Sequence, residues 1–177
     1  NLNCIVVLDI DLTSQGHDLR AAEKNLQLYH QLSGRAGRAG KPAKVYFQTY
    51  NINSDVISQI TDQDPFLFLE KELVLRKNYS LPPYERFIGL IITSPDQDKL
   101  KKESFILYEK LNQNLNCKVL GPVEAPIFKI KKNYRNRILI RAKKDLNIQK
   151  KLSDILNSYK TPSGIKLIVD VDPISFN

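Results

Sequence analysis

A chain in two parts, an α/β segment followed by an α+β domain, is what the sequence predicts, and three observations carry that expectation. Residues 1–60 alternate strand, helix and strand, as a mostly parallel sheet requires. The pair Pro82-Pro83 then interrupts the chain, because consecutive prolines cannot continue a helix. Beyond it, residues 85–177 read strand, helix, strand, strand, helix, strand, the order of a ferredoxin-like domain with its helices on one face of an antiparallel sheet.

The first strand runs from Cys4 to Asp9. Asp9 and Asp11 lie two apart at its end, where a metal could in principle sit, but the pattern suits a solvated strand end and gives them no catalytic role. A helix follows from about Leu19 to Ser33, and the next strand spans Lys44 to Thr49. This is too short for a whole α/β domain. A connecting helix occupies Asp64 to Asn78, with Asp64 as N-cap, Pro65 at the first helical position and Phe68, Glu72 and Leu75 marking its turns. The expected organisation is therefore residues 1–60, a connector over 61–84, and a carboxy-terminal domain over 85–177.

In that domain the strand Arg86 to Thr93 precedes a helix from Asp98 to Leu115, whose apolar stripe is Leu100, Leu107, Leu111 and Leu115. Strands Ala125 to Lys131 and Arg137 to Ala142 come next, then a helix from Asp145 to Tyr159 striped by Ile148, Leu152, Ile155 and Tyr159. The last strand, Ile165 to Val171, alternates as a half-buried strand should.

Length and composition set outer bounds. The chain has 177 residues, 42% of them hydrophobic, which allows one ordinary domain or two small ones with real cores. No window approaches the roughly 18 apolar residues needed to cross a bilayer, and no charged leader precedes an apolar run, so the expected compartment is the cytoplasm. The start, without methionine and directly before a strand, is read as the cut end of a longer protein. Cys4 and Cys117 have no C-x-x-C partner, which argues against zinc and against a disulfide framework. His17 and His30 are spaced neither as metal ligands nor as part of a triad.

The most specific motif is Gln31-Leu32-Ser33-Gly34-Arg35-Ala36-Gly37-Arg38. At 3.6 residues per turn Gln31, Arg35 and Arg38 share one helix face, while Ala22, Leu26, Tyr29, Ser33 and Ala36 share the opposite one. One face packs and the other is left for work. Guanidinium groups are always charged and match phosphate oxygens with forked donors, which suits stabilisation of charge on a transferring γ-phosphoryl group. Gly34 and Gly37 leave room for a close neighbour at a cost of about 1 kcal/mol each in helix propensity. The pattern points to an ATP-driven nucleic-acid motor. Its plain structural alternative is a basic glycine-rich loop that closes a helix.

Charge is concentrated rather than spread. Of 27 Lys and Arg and 19 Asp and Glu, residues 127–151 hold ten and one, and this segment carries the net charge of +8. With Phe128, Ile130, Ile138 and Ile140 facing the core, Lys129, Lys131, Arg137 and Arg141 should face out, and the turn should add Lys132, Tyr134 and Arg135. Such a ridge fits a nucleic-acid backbone or an acidic peptide. A solvated lysine-rich surface is the simpler alternative.

Taken in order, Leu8-Asp9-Ile10-Asp11, Asp18-Leu19-Arg20-Ala21-Ala22-Glu23, Gln31 to Arg38, Gln48-Thr49, Leu81-Pro82-Pro83, Leu120-Gly121-Pro122-Val123 with Ala125, Tyr134-Arg135, and Asp170-Val171-Asp172-Pro173 resemble the carboxy-terminal portion of the PriA family, primosomal protein N′. These are replication-restart DNA helicases of superfamily two, and the resemblance covers essentially the whole chain. It implies that residues 1 to about 60 end a second RecA-like lobe and that Gln31 to Arg38 form its sixth helicase motif. Arg35 and Arg38 would then be arginine fingers that reach ATP and Mg²⁺ held by the first lobe. The parent would be a bacterial, cytoplasmic, ATP-dependent 3′–5′ DNA helicase that binds stalled or branched forks, unwinds them and works with primosome proteins to reload the replicative helicase. The carboxy-terminal domain would bind forked or single-stranded DNA and help dock the acidic tail of single-stranded DNA-binding protein.

The departures from the family are absences. This sequence has no G-x-x-x-x-G-K-[ST] loop, no acidic Mg²⁺ motif and no cysteine-rich zinc module, so the chain alone is expected neither to hydrolyse ATP nor to hold zinc. Where family members often carry an aromatic after Tyr134-Arg135, this chain has Asn136. A rival of another class is a free-standing, catalytically inactive binding module in which the arginine motif is a relic.

Overall fold

The structure, a computed structural model, describes residues 3–11, 18–35, 44–53, 57–58, 65–144 and 147–174. The chain divides into two compact units, Asn1–Leu75 and Arg76–Asn177. Among the described residues no helix is long and apolar enough to cross a membrane.

In the first unit β1 (Cys4–Val7) and β2 (Lys44–Phe47) pair in parallel, with Cys4 opposite Lys44 and Val7 opposite Phe47. A parallel pair needs a crossover, and α1 (Ala21–Arg35) lies between the two strands in sequence. Both strands are shorter than the sequence predicts. Asp9 adopts a φ of +50°, which takes the chain out of strand geometry. Asp11 then ties the two strand ends together: its carboxylate accepts from Thr49 Oγ1 at 2.9 and 3.1 Å and from the Tyr50 N–H at 2.7 Å.

Helix α1 begins where Asp18 accepts from the Arg20 N–H at 2.8 Å and from Lys24 Nζ. The Lys24 bond first, and the Arg20 amide second, hold the Asp18 carboxyl below the usual carboxylate range. The helix buries Asn25, Leu26 and Tyr29, and the Tyr29 ring meets Phe47 of β2 edge-on at 5.3 Å. It runs on to Arg35, two residues past the expected Ser33, and so includes Gly34. Helix α2 (Pro65–Asn78) starts on the expected proline, with Phe68 buried, while its expected cap Asp64 lies outside the described residues.

The second unit is an α+β domain. Its elements are β3 (Glu85–Ser94), α3 (Gln97–Asn114), β4 (Lys118–Ile130), β5 (Asn133–Lys143), α4 (Ile148–Ser158) and β6 (Lys166–Val171). Their sequence order is the one that the residue pattern predicts. The sheet order is β4-β5-β3-β6, and each neighbouring pair is antiparallel. Ile88, Leu90 and Ile92 of β3 and Ile138 and Ile140 of β5 are sealed beneath Leu100, Leu107 and Leu111 of α3 and Ile148 and Leu152 of α4. The leucine stripe packs because Asp96 caps α3, accepting from the Lys99 N–H at 3.0 Å and so setting the phase of the first turn.

Strand β4 departs most from expectation, beginning at Lys118 rather than Ala125. Gly121, Pro122 and Pro126 mask the strand signal in the sequence. An edge strand tolerates them because the missing N–H groups can face away from the ladder, and two register shifts absorb the rest.

Tyr159 closes α4, and its hydroxyl donates to Glu103 of α3 at 3.0 Å. Burial first, and Glu103 second, push its pKa up to about 12. The folded value lies above the unfolded value of about 10, so this stabilisation is complete below about pH 10 and is lost as pH rises toward 12. Urea denaturation should therefore show the advantage of the native chain over Tyr159→Phe shrinking between about pH 9 and about pH 12. A constant difference across that range would contradict the assignment.

Candidate functional site

The first candidate region is the end of α1. Gln31, Gly34 and Arg35 are exposed there and Leu26 and Tyr29 are buried, as the facial pattern in the sequence predicts, whereas Ser33, expected on the packed face, is exposed and Ala22 is only half-buried. A Cβ at Gly34 would find no atom within 4 Å, so no close neighbour among the described residues calls for glycine at this position. Gly37 and Arg38 lie outside the described residues.

The second region is the β4–β5 hairpin. Its turn is only Lys131-Lys132, both exposed, with φ of +46° and +68°. Positive φ at both central residues is the requirement of a type I′ hairpin turn. Without the Asn-Gly or Asp-Gly pair that usually announces this turn, the sequence suggests a longer one. Tyr134 and Arg135 consequently belong to β5, not to the turn.

The faces of the hairpin also differ from expectation. In β5 the alternation holds: Asn136, Ile138, Ile140 and Ala142 are buried, while Arg135, Arg137 and Arg141 project to the other side of the sheet. In β4 it fails, because register shifts between Leu120 and Val123 and between Glu124 and Lys129 change the phase. The buried positions of β4 are Val119 and Ala125. Phe128 is only half-buried and Ile130 is 40% exposed, so neither belongs to the core. Lys129 stands opposite Tyr134 and so shares the side of Asn136 and Ile138, away from Arg137 and Arg141. The single outward ridge of Lys129, Lys131, Arg137 and Arg141 does not form.

What does form is a cationic tip. Lys129 Nζ lies 4.5 Å from the Tyr134 ring centroid and donates to its hydroxyl at 3.1 Å. The Phe128 and Tyr134 rings are 5.4 Å apart, tilted by 51°. Lys129, Lys131 and Lys132 are exposed; Arg135 and Arg137 are half-buried, and Arg135 donates to the Ile127 carbonyl at 3.4 Å. Phosphate oxygens could meet the ammonium groups while an apolar ring or base meets the aromatic pair. Asn136 takes no part in such a surface, since it is buried and donates to Ser104 Oγ of α3 at 3.1 Å.

Arg141 has a different task. It meets Glu85 Oε2 at 3.3 Å, donates to the Tyr79 and Ser80 carbonyls at 3.0 and 2.9 Å, and sits 5.2 Å from the Phe87 ring centroid. Those carbonyls follow the end of α2, so Arg141 fastens the Pro-Pro connector to the sheet. No motif marks this role; the sequence separates Arg141 from its partners by 56 to 62 residues.

Fold and charge together define a small α+β domain with a cationic hairpin, preceded by a parallel strand-helix-strand segment. Residues 77–174 match the family described as the primosomal protein N C-terminal domain, and the chain belongs to that family. It is 36% identical over 176 residues to the replication restart protein PriA of Rickettsia felis, covering 99% of this chain and 27% of the relative. To the replication restart protein PriA of Bacillus subtilis it is 32% identical, over 98% of this chain and 22% of the relative. The chain thus spans about a quarter of the length of these curated relatives. Among solved structures a de novo designed protein, Foldit4, is similar at a TM-score of 0.40 and 18% identity, covering 50% of this chain and 97% of that one, too distant to inform the function.

Replacing Arg141 by Met should cost about 1.5–3 kcal/mol in urea denaturation, because charge-assisted hydrogen bonds are lost and Glu85 is left alone. Affinity for a DNA oligonucleotide should stay unchanged. Stability equal to that of the native chain, or a selective loss of binding, would overturn the structural role.

Proposed function

We propose that this chain is the carboxy-terminal part of a replication-restart DNA helicase, working on ATP through α1 and on DNA through the β4–β5 hairpin. The observation that carries the proposal is the membership of the primosomal protein N C-terminal domain family, with Gln31 and Arg35 exposed on the working face of α1. In this reading residues 1–60 end a RecA-like lobe, and the second unit is a ferredoxin-like domain. Gln31, Arg35 and Arg38, with space left by Gly34 and Gly37, meet the γ-phosphate of ATP·Mg²⁺ held by another lobe of the whole protein. Forked guanidinium donors stabilise charge that appears only in the transition state, so hydrolysis is accelerated while nucleotide binding is little affected. The chain by itself neither hydrolyses ATP nor carries the zinc of the whole protein. The hairpin holds forked or single-stranded DNA, and the acidic tail of single-stranded DNA-binding protein and other primosome proteins are its further partners in the bacterial cytoplasm.

In the full-length protein Arg38→Ala or Arg35→Ala should leave ATP binding intact while hydrolysis and unwinding fall by about 10³–10⁵-fold. Lysine at either position should rescue poorly, because a point charge does not reproduce the fork. Unchanged turnover would return the motif to a helix-closing role.

For the hairpin, Lys129, Lys131 and Lys132 each neutralising one phosphate gives a slope of log K against log[salt] of about −2.7 on duplex and about −2.1 on single strands. Lys131→Ala should flatten it by about 0.9 on duplex regardless of sequence. A slope near zero, with binding retained to an acidic peptide, would assign the tip to a protein partner instead.

A further inference from the structure

Two short motifs of the first unit, Leu8-Asp9-Ile10-Asp11 and Gln48-Thr49, belong to neither the arginine motif nor the hairpin, yet the fold brings them together. Strands β1 and β2 stop pairing at Val7 and Phe47, but their chains do not separate there. The Gln48 N–H donates to the Val7 carbonyl at 2.9 Å, and the Ile10 N–H donates to the Gln48 carbonyl at 3.1 Å. One residue further on, the Asp11 carboxylate accepts from the Thr49 hydroxyl and from the Tyr50 N–H. Thr49 Oγ1 in turn accepts from the Asn51 N–H at 2.9 Å. A single carboxylate thus holds the two exits together after the strands have ended.

What these exits seat is Tyr29 of α1, only 1% exposed. Its ring meets Phe47 edge-on, and its hydroxyl reaches the carbonyl of the buried Ile10 at 3.5 Å. Ile10 immediately precedes Asp11, and Phe47 stands just before Gln48-Thr49, so the residues that touch the ring adjoin the residues that are tied. At 3.6 residues per turn, Gln31 and Arg35 then lie on the side of α1 turned away from this seat.

We infer that Asp11 and Thr49 are positioning residues for ATP hydrolysis: by closing the strand exits around Tyr29 they set the rotation of α1, and with it the aim of Gln31 and Arg35. The inference rests on the proposed role of the arginine motif at the γ-phosphate. A side chain as long as arginine magnifies a small rotation of its helix, and a misplacement of about 1 Å at the reacting centre can cost about 10²-fold in rate. Contacts made only in the transition state bear that cost, so it falls on kcat and not on nucleotide binding. Both Asp11 oxygens accept from protein donors, and the role therefore asks for the links and not for the negative charge. An amide keeps both links, because its oxygen can accept from the Tyr50 N–H while its nitrogen donates to the Thr49 hydroxyl oxygen.

Steady-state ATP hydrolysis by the full-length protein tests the inference. Asp11→Ala and Thr49→Val should each lower kcat by about 10²-fold with KM for ATP unchanged, and Asp11→Asn should recover most of the rate. Thr49→Val removes a hydroxyl without removing volume, so it carries the test if Asp11→Ala fails to fold. Added to Arg35→Ala, Thr49→Val should cost little more, because the aim of a side chain that is absent cannot be lost again. Native kcat in both Asp11→Ala and Thr49→Val overturns the inference while leaving the arginine motif its role. So does a loss carried by KM alone, a loss that Asp11→Asn shares in full, or a Thr49→Val loss undiminished in the Arg35→Ala background. Native turnover in Arg35→Ala overturns the inference together with the reading on which it rests.

Discussion

The register between β3 and β5 is the constraint on which the second unit depends. Ile88 stands opposite Ile140 and Leu90 opposite Ile138, which places four apolar side chains together beneath α3 and α4. The same period of two sends Arg135, Arg137 and Arg141 to the opposite side. A slip by one residue would drive guanidinium groups under the helices, at a penalty of several kcal/mol for each unpaired charge. Burial of the isoleucines therefore fixes where the positive charge is displayed.

That display is divided among three tasks. Charge near the turn is exposed to solvent, on Lys131 and Lys132 and on Lys129, whose ammonium also donates to the Tyr134 hydroxyl. Charge along β5 is half-buried on the side of the sheet opposite α3 and α4. At its far end Arg141 is spent on structure, holding Glu85 and the carbonyls that follow α2. A count of basic residues treats these as one patch, although their partners give them different effects on stability and on binding.

The two edges of the sheet show a similar division. Prolines and bulges in β4 keep that edge from acting as a template, and they also aim the hairpin tip by changing the phase of its side chains. Strand β6 keeps a regular ladder because its pairing with the central β3 supplies a core side, where Leu167, Val169 and Val171 stand opposite Ile92, Leu90 and Ile88. Irregularity on one edge and regularity on the other follow from what each strand carries.

The sequence by itself determined the order of elements, the leucine stripe of α3, the burial of Leu26 and Tyr29 against the exposure of Gln31 and Arg35, and the family. Each of these rests on local signals: a hydrophobic period, a cap, or an ordered set of short motifs. It placed Ile138 and Ile140 correctly because β5 is uninterrupted. It misplaced Phe128, Ile130 and Lys129 because a bulge reverses the two-residue alternation, and bulges arise from pairing with a neighbour rather than from the strand's own residues. It could not see that Arg141 serves the connector, since Tyr79, Ser80 and Glu85 come near only when β3 pairs with β5. Tertiary structure decided which cations remain available, because availability depends on partners brought from distant parts of the chain.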